Sequence, residues 1–214
     1  MIKACIFDLD GTLLNTLEDL TDAVNFSLEK NNFPLRSIEE VRRFVGNGVA
    51  TLMDRAVPQG TSSDEIQACL SDFKSYYSLH KQDKTCPYPG ISDLLSRLYE
   101  SGIKLAIVSN KFDRAVKELA EFYFPGLISV AIGESDRIRK KPAPDTVYEA
   151  LSLLEADKSE VIYVGDSETD IETAANAGVR HIGVTWGFRD RDTLKRHGAS
   201  DLIDAPLELM EYIS

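Results

Sequence analysis

Two carboxylates stand two positions apart in Asp8-Leu9-Asp10-Gly11-Thr12, and a second acidic run, Gly165-Asp166-Ser167-Glu168-Thr169-Asp170, lies far along the chain. Between them come Ser109-Asn110 and Lys141-Pro142. A lone Asp-x-Asp is usually a solvated turn, but acids, small donors and a lysine recurring in this order suit one kind of chemistry, displacement at phosphorus. A phosphate monoester is a dianion, so an attacking carboxylate is repelled unless a cation bridges the two. Magnesium is the natural bridge, because it binds oxygen octahedrally, keeps several waters and needs few protein ligands. Asp8 and Asp166 are the first two such ligands to expect. Charge that builds on the phosphoryl oxygens calls for fixed donors and positive groups. The Ser109 hydroxyl, the Asn110 amide and Lys141 are of the right kind. Each has a plainer reading, since Ser109-Asn110 could end a strand as a turn, Lys140-Lys141-Pro142 could be a solvated loop, and Asp170 could complement a helix dipole.

These groups need elements that bring them together. Ala4-Cys5-Ile6-Phe7 is a continuous apolar run, as expected of a strand buried on both faces, and it delivers Asp8 and Asp10 at its carboxyl end. Leu105 to Val108 and Val161 to Val164 repeat the pattern ahead of Ser109 and Gly165-Asp166. Helical segments at Ile91 to Tyr99, Arg114 to Phe122, Thr146 to Leu154 and Ile171 to Ala177 alternate with them. The expected fold is therefore α/β, a doubly wound parallel sheet with ligands at the carboxyl ends of its strands. Residues 16–85 read differently. They carry no convincing strand, and Thr16/Asp19, Ser37/Glu40 and Ser62/Glu65 have capping-box spacing or its Asp variant. After Gly48, the residues Val49, Leu52, Met53, Ala56 and Val57 trace one apolar helical face. A small all-helical domain inserted after the first strand is expected, with 1–15 and 86–214 forming the α/β core. Its short entrance and its proline-broken exit suit a hinged cap.

The chain has 214 residues and an apolar fraction of 43%, enough for a core with a smaller companion. Its formal charge of -11 repels nucleic acid and anionic lipid, so neither is an expected partner. Cys5, Cys69 and Cys86 have neither disulfide-framework nor zinc-site spacing. Met1 leads directly into the first strand, and no apolar stretch reaches membrane-spanning length. A soluble cytoplasmic protein, monomer or homodimer, is the expectation. His80, His181 and His197 are scattered and read as surface or loop residues.

Taken together, the four motifs and the helical insert resemble the haloacid dehalogenase superfamily along the whole chain. The resemblance implies that Asp8 is the nucleophile and forms an aspartyl-phosphate. It implies that the Asp10 backbone carbonyl is a third magnesium ligand beside Asp8 and Asp166, and that Asp170 holds metal waters or orients neighbours. It selects Lys141, immediately before proline, over Lys140. It also assigns acid/base work to the Asp10 side chain, whose presence separates phosphatases from dehalogenases. Arg42-Arg43-Phe44-Val45-Gly46-Asn47-Gly48 and Thr185-Trp186-Gly187-Phe188 resemble bacterial phosphoglycolate phosphatases. The implied partner is a small phosphate ester, 2-phosphoglycolate. Amides opening a helix at Gly46, Asn47 and Gly48 would take its carboxylate together with Arg42. A pyrophosphatase, a nucleotide or sugar-phosphate phosphatase, a β-phosphoglucomutase-like mutase and a non-enzymatic binding module are the competing readings.

Overall fold

The computed structural model describes residues 1–213, and their contacts divide into two compact units: Met1–Leu14 with 87–213, and Asn15–Cys86. In chain order the elements are β1 (Ala4–Phe7), β2 (Leu14–Asn15), α1 (Leu17–Lys30), α2 (Ile38–Phe44), α3 (Val49–Ala56), α4 (Ser63–His80), β3 (Cys86–Pro87), α5 (Ile91–Glu100), β4 (Lys104–Phe112), α6 (Asp113–Tyr123), β5 (Val130–Glu134), α7 (Asp145–Leu154), β6 (Val161–Gly165), α8 (Glu168–Ala177), β7 (Arg180–Val184), α9 (Arg191–Arg196) and β8 (Leu202–Ile203). Short 3₁₀ segments cover Lys158–Glu160 and Pro206–Tyr212.

The first unit is built on a six-stranded sheet of order β5-β4-β1-β6-β7-β8, parallel at each pairing. All four side chains of β1 are buried, and they alternate between two cores as a pleated strand requires. Cys5 and Phe7 join Leu94, Leu98, Val116 and Leu119 from α5 and α6. Ala4 and Ile6 join Val147, Ala150 and Ala174 from α7 and α8 on the opposite face. Each such Ile or Phe contributes roughly 1.5–3 kcal/mol by leaving water. The register pairs Phe7 with Ile107 on one side and with Val164 on the other. The residues that follow Phe7, Ile107 and Val164 therefore emerge side by side, and the Asp8 amide still donates to the Val164 carbonyl at 2.9 Å.

Three strands of this sheet, β5, β7 and β8, carry weaker sequence signals than the rest. β5 sits at an edge and is mostly half-buried, whereas β7 begins with the polar pair Arg180-His181. His181 is accordingly a correction to the expectation of a surface or loop residue. It lies on β7 against Tyr163, with ring centroids 6.4 Å apart, and both ring nitrogens are buried without a hydrogen-bond partner among the described residues. Burial lowers its pKa to about 4. Another correction concerns β4, which does not stop at Val108. The extended chain runs through Ser109, Asn110 and Lys111 to Phe112, with a register shift against β5 between Val108 and Phe112.

The second unit is helical. Leu17, Leu20, Val24 and Leu28 of α1 and Cys69, Leu70, Phe73 and Tyr77 of α4 are buried faces of the two longest helices, which pack together, and Ser27 Oγ donates to the Cys69 carbonyl at 2.7 Å. Ser37/Glu40 and Ser62/Glu65 form reciprocal capping boxes. Thr16/Asp19 does not, because the buried Asp19 carboxylate instead accepts from the Lys84 amide at 2.9 Å and from the Thr85 amide and hydroxyl at 2.8 and 2.7 Å. The first turn of α1 is thereby tied to the segment that leaves the unit.

Candidate active site

At the carboxyl ends of β1, β4 and β6 the chain gathers Asp8, Asp10, Ser109, Asn110, Lys141, Asp166 and Asp170. Lys141 Nζ is the hub. It lies 2.9 Å from Asp8 Oδ1 and 2.7 Å from Asp170 Oδ1, and 3.2 Å from the Tyr163 hydroxyl, which itself donates to Asp170 Oδ1 at 3.0 Å. Burial alone would lower the lysine's pKa, but Asp170 and Asp8 outweigh it and hold the ammonium charged, well above its usual range. Lys140 points elsewhere, to Glu134 at 3.4 Å.

Asp170 turns its second oxygen back to the Ser167 amide and hydroxyl at 3.1 and 2.6 Å, closing a capping box at the start of α8. One carboxylate thus both starts a helix and anchors Lys141. Burial pushes its pKa up, yet Lys141 and the hydrogen bonds from Lys141 and Ser167 prevail and hold it below the usual carboxylate range. Asn110 is similarly committed: its side-chain oxygen accepts from the Lys141 amide at 2.9 Å and its amide donates to the Lys141 carbonyl at 3.0 Å. The side chain expected to face phosphate is engaged in fixing the Lys141 loop. Ser109 is buried and accepts from the Lys111 amide at 3.4 Å.

Glycines let the backbone close around Asp166. A Cβ on Gly11, where φ is +87°, would fall 2.3 Å from Asp166 Oδ2, and one on Gly187 would fall 2.4 Å from both Asp166 Cβ and the Gly11 carbonyl. The Phe188 amide donates to Asp166 Oδ2 at 2.7 Å, and Thr12 Oγ1 to Oδ1 at 3.3 Å. Trp186 Nε1 donates to the Thr12 carbonyl at 3.0 Å, tying the loop after β7 to the loop after β1.

Asp8, Asp166 and Asp170 each offer an oxygen within 4.8 Å of the others. Burial, followed by the neighbouring acids, raises the Asp8 carboxyl to about 7 against the pull of Lys141. Asp166 is pushed well above the carboxylate range by burial and by Asp170 and Asp8. Asp8 Oδ1 is buried and accepts no well-directed hydrogen bond among the described residues, even with Lys141 Nζ close by. Three buried carboxylates with surplus negative charge and all-oxygen donors fit a small divalent cation such as magnesium.

Several participants carry no motif signal of their own. Lys111 Nζ, buried, contacts both Asp10 oxygens at 2.7 and 2.8 Å. Arg189 forks onto Glu168 at 2.9 and 3.3 Å. Tyr163 is masked by its place in an apolar strand. Lys111 directly follows Ser109-Asn110, so a charged residue inside an otherwise buried strand end was the available clue.

Arg42, Gly46, Asn47 and Gly48 belong to the second unit. Arg42 lies in α2 with its Nε 3.9 Å from Glu39, while Gly46 and Gly48 adopt positive φ and Gly48 caps α3. Arg55, from α3, also binds into that turn, donating to the Phe44 carbonyl at 2.8 Å and to Asn47 Oδ1 at 3.0 Å.

Residues 5–184 match the family model of haloacid dehalogenase-like hydrolases. A phosphoglycolate phosphatase of Vibrio parahaemolyticus is 30% identical over 220 residues, spanning 100% of this chain and 96% of its own. One from Mesorhizobium japonicum is 36% identical over 192 residues, spanning 87% and 84%. Among solved structures, a provisionally assigned phosphoglycolate phosphatase from Lactobacillus delbrueckii subsp. bulgaricus superposes with a TM-score of 0.94 at 39% identity, covering 99% and 98% of the two chains. The site geometry and these relationships together place the chain in the haloacid dehalogenase-like hydrolases, as an enzyme of the phosphoglycolate phosphatase-like kind.

Proposed function

We propose that this enzyme hydrolyses a small phosphate monoester, 2-phosphoglycolate, through an aspartyl-phosphate on Asp8, with magnesium as cofactor. The observation that carries the mechanism is the buried Asp8 carboxylate at the end of the central strand, its Oδ1 2.9 Å from a charged Lys141, with a second aspartate two residues on. Asp8, Asp166 and the Asp10 backbone carbonyl would hold the cation, which when bound offsets the negative charge of phosphate and carboxylates.

In the first half-reaction an Asp8 oxygen bonds to phosphorus as the ester P–O bond breaks, and the leaving alkoxide takes a proton from the Asp10 carboxyl. In the second, the Asp10 carboxylate takes a proton from water, the water oxygen bonds to phosphorus, and the Asp8–phosphorus bond breaks to release inorganic phosphate. Lys141 and the Ser109 hydroxyl stabilise charge on the transferring oxygens. Asn110 and Asp170 hold Lys141 in place.

The substrate rests on the relatives named above and on the turn of the second unit. We assign the substrate carboxylate to Arg42 and to the amides of Gly46, Asn47 and Gly48. The test is phosphate release from a panel of alkyl phosphates, nucleotides, sugar phosphates and pyrophosphate, with magnesium or with EDTA. The expected result is preference for 2-phosphoglycolate and loss of turnover in EDTA. A preference for pyrophosphate, a nucleotide or a hexose phosphate contradicts the substrate, and undiminished activity in EDTA contradicts the cofactor.

A further inference from the structure

The site contains two buried ammonium groups, and the proposed reaction accounts for only one of them. Lys141 serves Asp8. Lys111 reaches the site from the irregular end of β4, beyond Val108, where its backbone amide donates to Ser109 Oγ. Its side chain is 2% exposed, and Nζ lies 2.7 and 2.8 Å from the two oxygens of Asp10, itself 13% exposed. A carboxylate ordinarily rotates through a broad range about its last side-chain bond. An ammonium seated between both oxygens removes that freedom and fixes the plane of the group.

We infer that Lys111 is a positioning residue, resting on the reading of Asp10 as the acid and base: it orients the Asp10 carboxyl group toward the leaving-group oxygen and, afterwards, the attacking water. Burying a lysine is costly unless its charge is met. A solvated lysine one position after Ser109-Asn110 would serve a turn equally well, so its placement against Asp10 calls for a function. An ammonium has three donors, so Lys111 can keep one Asp10 oxygen while the other exchanges a proton. The contact also couples the end of β4 to the end of β1 independently of Lys141, which leaves the two aspartates separately held.

The inference separates from a purely structural role by its dependence on the leaving group. An alkoxide needs protonation and p-nitrophenolate hardly does. In the full-length enzyme with magnesium, Lys111→Met should lower kcat for the best alkyl phosphate about tenfold more than for p-nitrophenyl phosphate, with KM for each within about twofold of wild type. Asp10→Asn should show the same selectivity more strongly. The double variant Lys111→Met/Asp10→Asn should lose no more than about twofold beyond Asp10→Asn alone, because Lys111 acts through Asp10. Lys111→Gln provides a second variant, with circular dichroism and melting temperature as checks on folding. Equal losses on both substrates, or losses that multiply with Asp10→Asn, overturn the inference. Failure of both Lys111 variants to fold does so too, by assigning the residue to structure. If Asp10→Asn discriminates between the substrates while Lys111→Met does not, only the Lys111 role falls. If Asp10→Asn does not discriminate, the acid/base reading of Asp10 falls with it.

Discussion

The acidic centre of the α/β unit and the Gly46–Gly48 turn of the helical unit represent opposite ways of presenting charge. In the centre, Lys141 and Asp170 have side-chain exposures of 2% and 0%, and Lys141, Asp170, Asn110, Ser167 and Tyr163 form one connected network. At the turn, Arg42 and Glu39 are 43% and 61% exposed, and their ion pair joins neighbours on a single helix. Desolvated charges strongly constrain one another, because removing one leaves its partner buried and unpaired. Exposed pairs contribute little and are easily exchanged. Under the proposed function the first region carries the chemistry and the second the choice of substrate, and the contrast sets an order of expected effects.

Asp8→Asn should give the largest loss, more than about a thousandfold in kcat on every phosphate ester, since an amide neither attacks phosphorus nor offsets a cation's charge. Its far-ultraviolet circular dichroism should match wild type. Lys141→Met should follow at about a hundredfold or more, again on all substrates, because charge on the transferring oxygens loses its nearest fixed cation. Arg42→Ala should lower kcat/KM for 2-phosphoglycolate by about five- to tenfold and leave p-nitrophenyl phosphate unchanged. A loss of the same size on both substrates would place Arg42 in the common chemistry and break the contrast between the regions.

The smallest effect is thermal. Asp8, raised to about 7, and Asp166, also raised well above the carboxylate range, bind protons more tightly folded than unfolded, so each takes stability away as pH rises from about 4 toward its folded pKa. His181, lowered to about 4 from 6.5, does the reverse between those values, because there only the unfolded chain holds its proton. Between pH 5 and 6.5 Asp8 and His181 therefore oppose each other, and the upward shift of Asp166 acts in the same direction as that of Asp8. In EDTA the melting temperature should fall from pH 5 to 7. With saturating magnesium the two aspartates stay ionised and the slope should reverse, leaving the rise due to His181. Differential scanning calorimetry in the two buffers checks this, and identical slopes would mean that the acidic cluster does not take up the ion.

Legibility in the sequence followed the same division. Asp8, Ser109 and Asp166 follow apolar runs long enough to mark buried strands, so both the sheet and the edge where these side chains gather could be placed. The partners of those residues were harder to foresee. Asp170 meets Lys141 across a separation of 29 residues, and Lys111 meets Asp10 across 101, and no local periodicity encodes such pairings. Asp19 shows how local rules lose to tertiary demand, since its capping-box spacing gives way to the buried amides of Lys84 and Thr85. The turn at Gly46–Gly48 was visible in its glycines, whereas the Arg55 guanidinium that bonds to it comes from the far end of α3.

The central claim is a covalent phosphoryl group on Asp8. Acid quenching during turnover of 2-phosphoglycolate with magnesium, followed by borohydride reduction and peptide mass spectrometry, converts an aspartyl-phosphate into homoserine at the position that carried it. Homoserine should appear at position 8, only with substrate present, and be absent from Asp8→Asn. Homoserine at position 10 or 166, or unmodified Asp8 in an enzyme that is steadily releasing phosphate, would contradict the account.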